Sequence, residues 1–359
     1  MKRITRLIVS ASLIVILAAA FSPLASPVPA QRALAQGGSI LDDVIARGQL
    51  ICGVNGQVPG FGFLDPDTGE WSGFDVDFCR ALAAAVFGEV TAENLVFVPL
   101  TTQERFTALQ TRQVDVLFRN TTWTLSRDGE LGIDFGPTNY YDGQGLMVHA
   151  DLGATSIDDL GGASICSLTG TTTELNITEA MDSRGLSYEL VPFEQSSDTI
   201  AAFEERRCDV LTSDQSQLWG LRSSAADPGS IIVLPDIISK EPLGPAYLQN
   251  DSRWADVVDW TVYATFTAEE FGITQANVDS FLDSTDERIQ RFLGIGDKAS
   301  GSLIGLDNGF TVNVIRAVGN YGEIYERNVG IDSELGIDRA GSLNRLWSDG
   351  GLIYPPAWR

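Results

Sequence analysis

The chain has 359 residues, with 24 Lys and Arg against 48 Asp and Glu, a formal net charge of −24. That length exceeds one domain of about 100–200 residues, so more than one lobe is expected, and an apolar fraction of 44% excludes a disordered chain. The acidity argues against nucleic acid, whose phosphates need a basic surface, and the single His argues against a histidine-built metal centre or a His-dependent hydrolase.

In chain order, residues 1–36 read as an export signal. Lys2, Arg3 and Arg6 form a positive start, Leu7 to Phe21 is apolar, and Ala33-Leu34-Ala35 is a small-x-small cleavage site. The apolar run falls short of the ~20 residues that span a bilayer. No Cys stands at the cleavage site to carry a lipid, and no later stretch is long and apolar enough to span a membrane. The mature protein is expected outside the cytoplasm, in the periplasm.

From residue 50 the periodicity predicts a strand at Leu50–Val54 and a turn-rich loop through Pro59, Gly60, Pro66, Asp67 and Gly69. A helix follows over Asp75–Phe87, then a strand at Leu95–Leu100, a helix at Gln103–Thr111 and a strand at Val114–Phe118. The second half repeats the order: strand Ala163–Leu168, helix Thr173–Arg184, strand Tyr188–Phe193, helix Asp198–Arg206, strand Asp209–Ser213. The echo is visible in the letters. Val98-Pro99-Leu100 precedes Asp115-Val116-Leu117 as Val191-Pro192-Phe193 precedes Asp209-Val210-Leu211. Two α/β lobes are expected, each with a strand-helix-strand-helix-strand core of parallel strands and right-handed crossovers; the alternative is one long doubly wound sheet. In the tail from Gly294 to Arg359, Val312, Ile315, Val318, Ile324 and Tyr325 predict a helix packed on the first lobe, with Trp347 and Trp358 as anchors.

Cys52, Cys79, Cys166 and Cys208 allow three connectivities, and an oxidising compartment permits bonds among them. The absence of C-x-x-C argues against a zinc ribbon or thioredoxin site. Pairing within each lobe, Cys52–Cys79 and Cys166–Cys208, is expected.

Open α/β sheets bind ligands beyond the carboxyl ends of their strands. Asn55 to Phe61 follow the first strand, and Asn120, Thr121, Thr122 and Arg127 follow the third. In the second half Thr169 to Glu174 follow one strand, and Ser213, Asp214 and Gln215 another. Arg matches a carboxylate, a helix N-terminus offers free N–H groups, and Asp214 suits an ammonium. A ligand with both charges on adjacent atoms, an α-amino acid, fits between them. Each feature alone is ordinary: a charged residue after a strand is commonly a solvated group, and Thr before a helix commonly a cap. Phe61, in Pro59-Gly60-Phe61-Gly62, is either core or a platform for a ligand side chain, and Trp123 is open in the same way. His149, at the junction between the lobes, is assigned a structural role. No phosphate loop or nucleophile elbow occurs, and neither cofactor nor metal is expected.

Longer motifs then carry a resemblance: Trp71-Ser72-Gly73-Phe74-Asp75-Val76-Asp77-Phe78-Cys79-Arg80-Ala81, Asn120-Thr121-Thr122-Trp123-Thr124-Leu125-Ser126-Arg127, Asp134-Phe135-Gly136-Pro137-Thr138-Asn139-Tyr140-Tyr141, and Gly319-Asn320-Tyr321-Gly322-Glu323-Ile324-Tyr325. With Gly170-Thr171-Thr172-Thr173-Glu174 and Cys208-Asp209-Val210-Leu211-Thr212-Ser213-Asp214-Gln215, the chain resembles the polar amino-acid solute-binding proteins of ABC importers, in their general L-amino-acid-binding branch. The resemblance implies an α/β, two-lobed, type II periplasmic-binding-protein-like fold. Each lobe is then a mostly parallel sheet flanked by helices, and two crossover strands, Tyr140–Val148 and Glu241–Leu248, join them. It places residues 37–146 and 247–359 in one lobe and 147–246 in the other. It implies a monomer that captures L-amino acids and delivers them to permease subunits served by a cytoplasmic ATPase, without catalysis. Arg127 then clamps the α-carboxylate, Thr122, Asn120 and Thr172 support it, Asp214 takes the ammonium, and Asn55 and Phe61 line the side-chain end. No selector charge stands in Asn55–Phe61, which favours broad specificity. A narrow binder of acidic or amide amino acids, and a cyclohexadienyl-dehydratase-like enzyme on the same fold, are the competing expectations.

Overall fold

Leu50–Val54 is apolar on both faces because a strand lies on each side of it and helices cover the sheet. It pairs in parallel with Leu95–Pro99 and with Val116–Leu117. The sheet is completed by Ala246–Leu248 and Ile133–Phe135, with Ala246–Leu248 antiparallel to both of its neighbours. The computed structural model describes residues 38–298 and 301–359; the predicted export signal lies outside the described residues.

A second sheet repeats the plan. Ala163–Leu168 pairs in parallel with Tyr188–Phe193 and Val210–Asp214. Gln144–His149 and Ile231–Val233 add two antiparallel strands. The parallel part of each lobe is thus the repeated strand-helix unit. The antiparallel part comes from chain that has just crossed from the other lobe, or is about to return. Tyr140–Asp142 and Glu241–Leu243 pair antiparallel between the sheets, with Glu241 opposite Asp142. The fold is two-lobed, and no helix among the described residues is long and apolar enough to cross a membrane.

Both expected disulfides form. Cys52–Cys79 ties the first strand to helix Phe74–Phe87, and Cys166–Cys208 ties strand Ala163–Leu168 to the position two residues ahead of strand Val210–Asp214. Helix Phe74–Phe87 starts at Gly73, whose φ of 125° is open to glycine alone; a Cβ there would stand 2.1 Å from the Phe61 carbonyl oxygen.

The tail forms two helices, Phe310–Val318 and Tyr321–Asn328, where one was expected. Gly319 ends the first. Asn320 and Glu323 form a reciprocal capping box that starts the second, so the apolar spacing runs through a break in the backbone. Trp358 anchors the tail: its ring centroid lies 5.0 Å from that of Trp260, and its Nε1 donates to Thr267 Oγ1 at 2.8 Å. Trp347 does not anchor it by burial, being 52% exposed, and is held by a hydrogen bond to Glu270. His149 stacks on Phe203 with centroids 4.2 Å apart, and its Nε2 meets the Phe203 carbonyl at 2.8 Å, a packing role.

Candidate functional site

The residues after the strands of both lobes converge. Helix Leu125–Glu130 is capped by Thr124, whose hydroxyl accepts from the Arg127 amide at 3.3 Å. This fixes the first turn and turns the Arg127 side chain inward. Arg127 is 8% exposed; its Nη1 donates to the Thr122 carbonyl at 2.8 Å, and its guanidinium carbon lies 5.3 Å from the Phe106 ring centroid. Opposite, Thr171 caps helix Thr172–Ser183 and brings Thr172 to the lobe boundary. Asp214 ends strand Val210–Asp214, 6% exposed. Arg127, Thr122 and Asn120 of the first lobe enclose a cavity of about 20 Å³ with Thr172 and Asp214 of the second. That is room for about one water, so an organic ligand enters only after the lobes separate.

Several contacts hold the lobes closed. Asn120 Nδ2 donates to Gln217 Oε1 at 3.2 Å, and Thr102 Oγ1 donates to the Thr169 carbonyl at 2.9 Å. Asn120 has a φ of 31°, a strained left-handed conformation held by its N–H donating to Asp75 Oδ2 at 2.8 Å. Glu241 lies on the returning link. It accepts from Thr122 Oγ1 at 2.6 Å on one lobe, and from Thr172 Oγ1 at 3.0 Å and Asn176 Nδ2 at 2.8 Å on the other. This buried carboxylate is the common acceptor of both lobes in the closed form.

The electrostatics divide the site in two. Burial pushes the Asp214 carboxyl well above its ordinary range, and nearby Asp142 and Glu241 push it further. Burial raises Asp142 to about 6. On the other side Arg105, Arg119 and Arg127 wall the same cavity, and burial lowers the pKa of each. A cation fits the acidic end and an anion the basic end.

The structure brings Arg127, Asp214, Thr122, Thr172 and Asn120 together around this cavity. Asn55 is beside it: its Nδ2 donates to Asn120 Oδ1 at 3.3 Å, and it lines an adjoining cavity of about 360 Å³. Arg119, Gln57 and Thr101 of the first lobe and Glu194 and Gln195 of the second also line that larger space. Phe61 is a correction. It is 1% exposed and packs edge-on against Tyr140 at 5.1 Å and beside Phe74 at 5.8 Å, inside the first lobe's core and away from both cavities. Trp123, 45% exposed, stacks on Phe135 outside them. Sequence reasoning missed Arg105, Asp75, Asp142 and Glu241.

Asp75 yields a stability prediction. Burial raises its carboxyl to about 7 from 3.8, against the lowering pull of the Asn120 N–H and Arg119. The folded state therefore binds a proton that the unfolded state has released, so stability falls as pH rises from about 4 to about 7. Asp75→Asn removes this contribution. Between pH 5 and pH 7.5 the variant's melting temperature is expected to fall less than that of the unsubstituted protein; equal slopes in thermal melts would contradict the assignment.

Comparison with known proteins follows the same lines. The family model of the bacterial extracellular solute-binding proteins, family 3, matches residues 50–271, which span the repeated units of both lobes. The chain belongs to this family. Among its relatives, the solute-binding protein is 51% identical over 328 residues to the general L-amino acid-binding periplasmic protein AapJ of Rhizobium johnstonii, covering 91% of this chain and 95% of that one. It is 46% identical over 327 residues to the glutamate/glutamine/aspartate/asparagine-binding protein BztA of Rhodobacter capsulatus, covering 90% and 95%. A solved periplasmic binding protein of an ABC transporter from Brucella ovis, with glutathione bound, superposes with a TM-score of 0.87 at 49% identity over 90% of this chain and 100% of that chain.

Proposed function

We propose that this solute-binding protein captures L-amino acids of varied side chains between lobes formed by residues 37–146 with 247–359 and by residues 147–246. It acts as a periplasmic monomer that delivers them to the permease of an ABC importer and performs no catalysis. The observation that carries this reading is that Arg127 and Asp214 wall one cavity from opposite lobes. An α-carboxylate takes the guanidinium fork of Arg127, with Thr122, Asn120 and Thr172 around it. The ammonium takes Asp214 and, being an opposite charge at close range, favours its ionised form against the cost of burial. Closure then follows from the ligand's differential affinity for the closed state. The names of the relatives support amino acids as the ligand class and a periplasmic setting. Calorimetry with the mature protein against the twenty amino acids is expected to give heat with several unlike side chains, and recovery of each ligand unchanged. Silence with all twenty defeats the reading.

The larger cavity favours a second, wider reading. At about 360 Å³ it falls in the ~300–1,000 Å³ range of small-molecule sites and shares Arg119 with the smaller one. An amino acid extended at its side-chain end, such as glutathione, would reach from the head-group site between Arg127 and Asp214 into the larger cavity once the lobes separate, and belongs in the same panel.

A further inference from the structure

We propose that Asn344, in the C-terminal tail, is a positioning residue for lobe closure. Its side chain fastens the outgoing crossover strand to the first lobe at Tyr141 and so confines the hinge to the backbone between Tyr141 and Asp142. The effect on ligand affinity rests on the amino-acid reading above; the effect on lobe motion does not.

Tyr141 stands opposite Pro242 in the ribbon between the two sheets. In an antiparallel pair every second residue turns its N–H and C=O away from its partner, and Pro242 has no N–H to offer. Both outward groups of Tyr141 are taken by one side chain. The Tyr141 N–H donates to Asn344 Oδ1 at 2.7 Å, and Asn344 Nδ2 donates to the Tyr141 carbonyl at 3.0 Å. The Asn344 amide thus stands where a third strand would, 203 residues on in sequence. It is buried and held from its own side of the molecule. Its N–H donates to Ser342 Oγ at 3.2 Å, and its carbonyl accepts from Arg339 Nε at 2.8 Å. Arg339 forms a two-pronged ion pair with Glu269 of helix Ser252–Glu270, at 2.7 and 3.0 Å, and its guanidinium carbon lies 4.9 Å from the Tyr321 ring centroid. That helix and Tyr321 belong to the first lobe's core. Tyr321 adds a tie of its own, its hydroxyl donating to the Asn139 carbonyl at 2.9 Å. One residue beyond Tyr141 the chain is bonded to the second lobe instead. Asp142 accepts from the Ser216 N–H at 3.3 Å and from its hydroxyl, and the Gly143 carbonyl accepts from the Gln215 N–H at 2.8 Å. Gln144 Nε2 donates to the Thr173 carbonyl at 3.0 Å and to Thr212 Oγ1 at 2.9 Å. The returning link passes the same level at Glu241 and Pro242, where the proline ring fixes φ. Rotation of one lobe against the other is therefore left to a single step of backbone on each link. Without Asn344, Tyr141 joins the hinge, and closure must order one residue more.

The test is pulse EPR on the mature, ligand-free protein with spin labels on Glu89→Cys in the first lobe and Asp182→Cys in the second, both exposed positions. The four native cysteines are in disulfides and take no label. In this background Asn344→Ala is expected to broaden the distribution of distances between the lobes. Trp358→Phe loosens the tail at its other anchor by removing the bond to Thr267; it is expected to lower the melting temperature and leave the distribution unchanged. A distribution unchanged by Asn344→Ala overturns the proposal. So does equal broadening by both substitutions, since the tail then acts only through the stability of the first lobe. Hydrogen exchange at the Tyr141 amide of the unsubstituted protein needs no variant and decides even if Asn344→Ala fails to fold. Slow exchange is expected with and without ligand, and fast exchange in the ligand-free protein overturns the tie. Asn344→Ala is also expected to weaken L-glutamine, and each other amino acid that gives heat, by about 5- to 30-fold, the cost of ordering one residue's backbone. Unchanged affinity overturns the role of Asn344 in closure. Silence of the unsubstituted protein with all twenty amino acids defeats the amino-acid reading and leaves this one to the distances and the exchange.

Discussion

Arg127→Ala is expected to weaken every ligand of the cleft together, by about 100-fold or more. In the proposed binding mode the guanidinium meets the α-carboxylate shared by all amino acids, whereas the side-chain end is reached by other residues. Truncation removes the charge and both prongs of the fork, and leaves the ligand's carboxylate buried opposite Asp214 and Glu241, whose fields Arg127 partly offsets. Losing one partner of a buried charged pair costs about 2–5 kcal/mol, and each 1.4 kcal/mol is about tenfold in affinity. The fold should survive, because the Thr124 cap of the short helix uses the Arg127 backbone N–H and not its side chain. Titration of the variant with a neutral, an acidic and an aromatic amino acid checks this. Loss confined to one of the three would move the α-carboxylate away from residue 127.

The two lobes were legible for a mechanical reason. Parallel strand-helix units must bury both faces of the sheet, so the strands are short apolar runs and the helices keep a 3.6-residue period. Strand Leu50–Val54, strand Ala163–Leu168 and strand Tyr188–Phe193 fell where the periodicity put them. Arg127 and Asp214 of the proposed site were legible because one follows and the other ends a strand at the carboxyl edge of its sheet, the edge at which open α/β sheets bind ligands. Arg105 was not. It is the second residue of helix Glu104–Gln110, inside Thr101-Thr102-Gln103-Glu104-Arg105, a polar run indistinguishable from a solvated face until the second lobe covers it. That loop follows the edge strand Leu95–Pro99, whereas the strand-end rule points to the loops after the first and third strands. Glu241 was hidden in a link with no periodicity. Its importance comes from Thr122 and Thr172, residues 119 and 69 positions away. Phe61 failed in the opposite sense: glycines on both sides suggested a mobile loop, yet rings brought in by Phe74 and Tyr140 turn it into core. Tertiary contacts decided each of these, and no local pattern records them.

The largest effect on stability is expected at Trp254, far from the ligand. It lies in helix Ser252–Glu270, is fully buried in the first lobe's main core, and ties together segments distant in sequence. Its Nε1 donates to the Asp115 carbonyl at 3.0 Å. The Asp115 carboxylate in turn accepts from the Ile51 N–H at 2.8 Å and from Arg47. One turn back, Asp251 caps the helix through the Trp254 N–H and also accepts from Ser39 Oγ at 2.8 Å and from the Ile40 N–H at 2.6 Å. The indole thus fills the junction of the first strand, the first described helix and the chain returning from the second lobe. Trp254→Ala removes the ring, leaves a cavity that the disulfide-tied strand and helix cannot collapse into, and orphans a buried carbonyl. The expected cost is about 3–5 kcal/mol, a large fraction of the ~5–15 kcal/mol that stabilises a typical domain. Trp254→Phe keeps most of the volume and loses the hydrogen bond, and should cost about 1–3 kcal/mol. Denaturant melts at fixed ligand concentration separate the two. If the alanine variant loses no more than the phenylalanine one, the packing of this junction is not what holds the first lobe together.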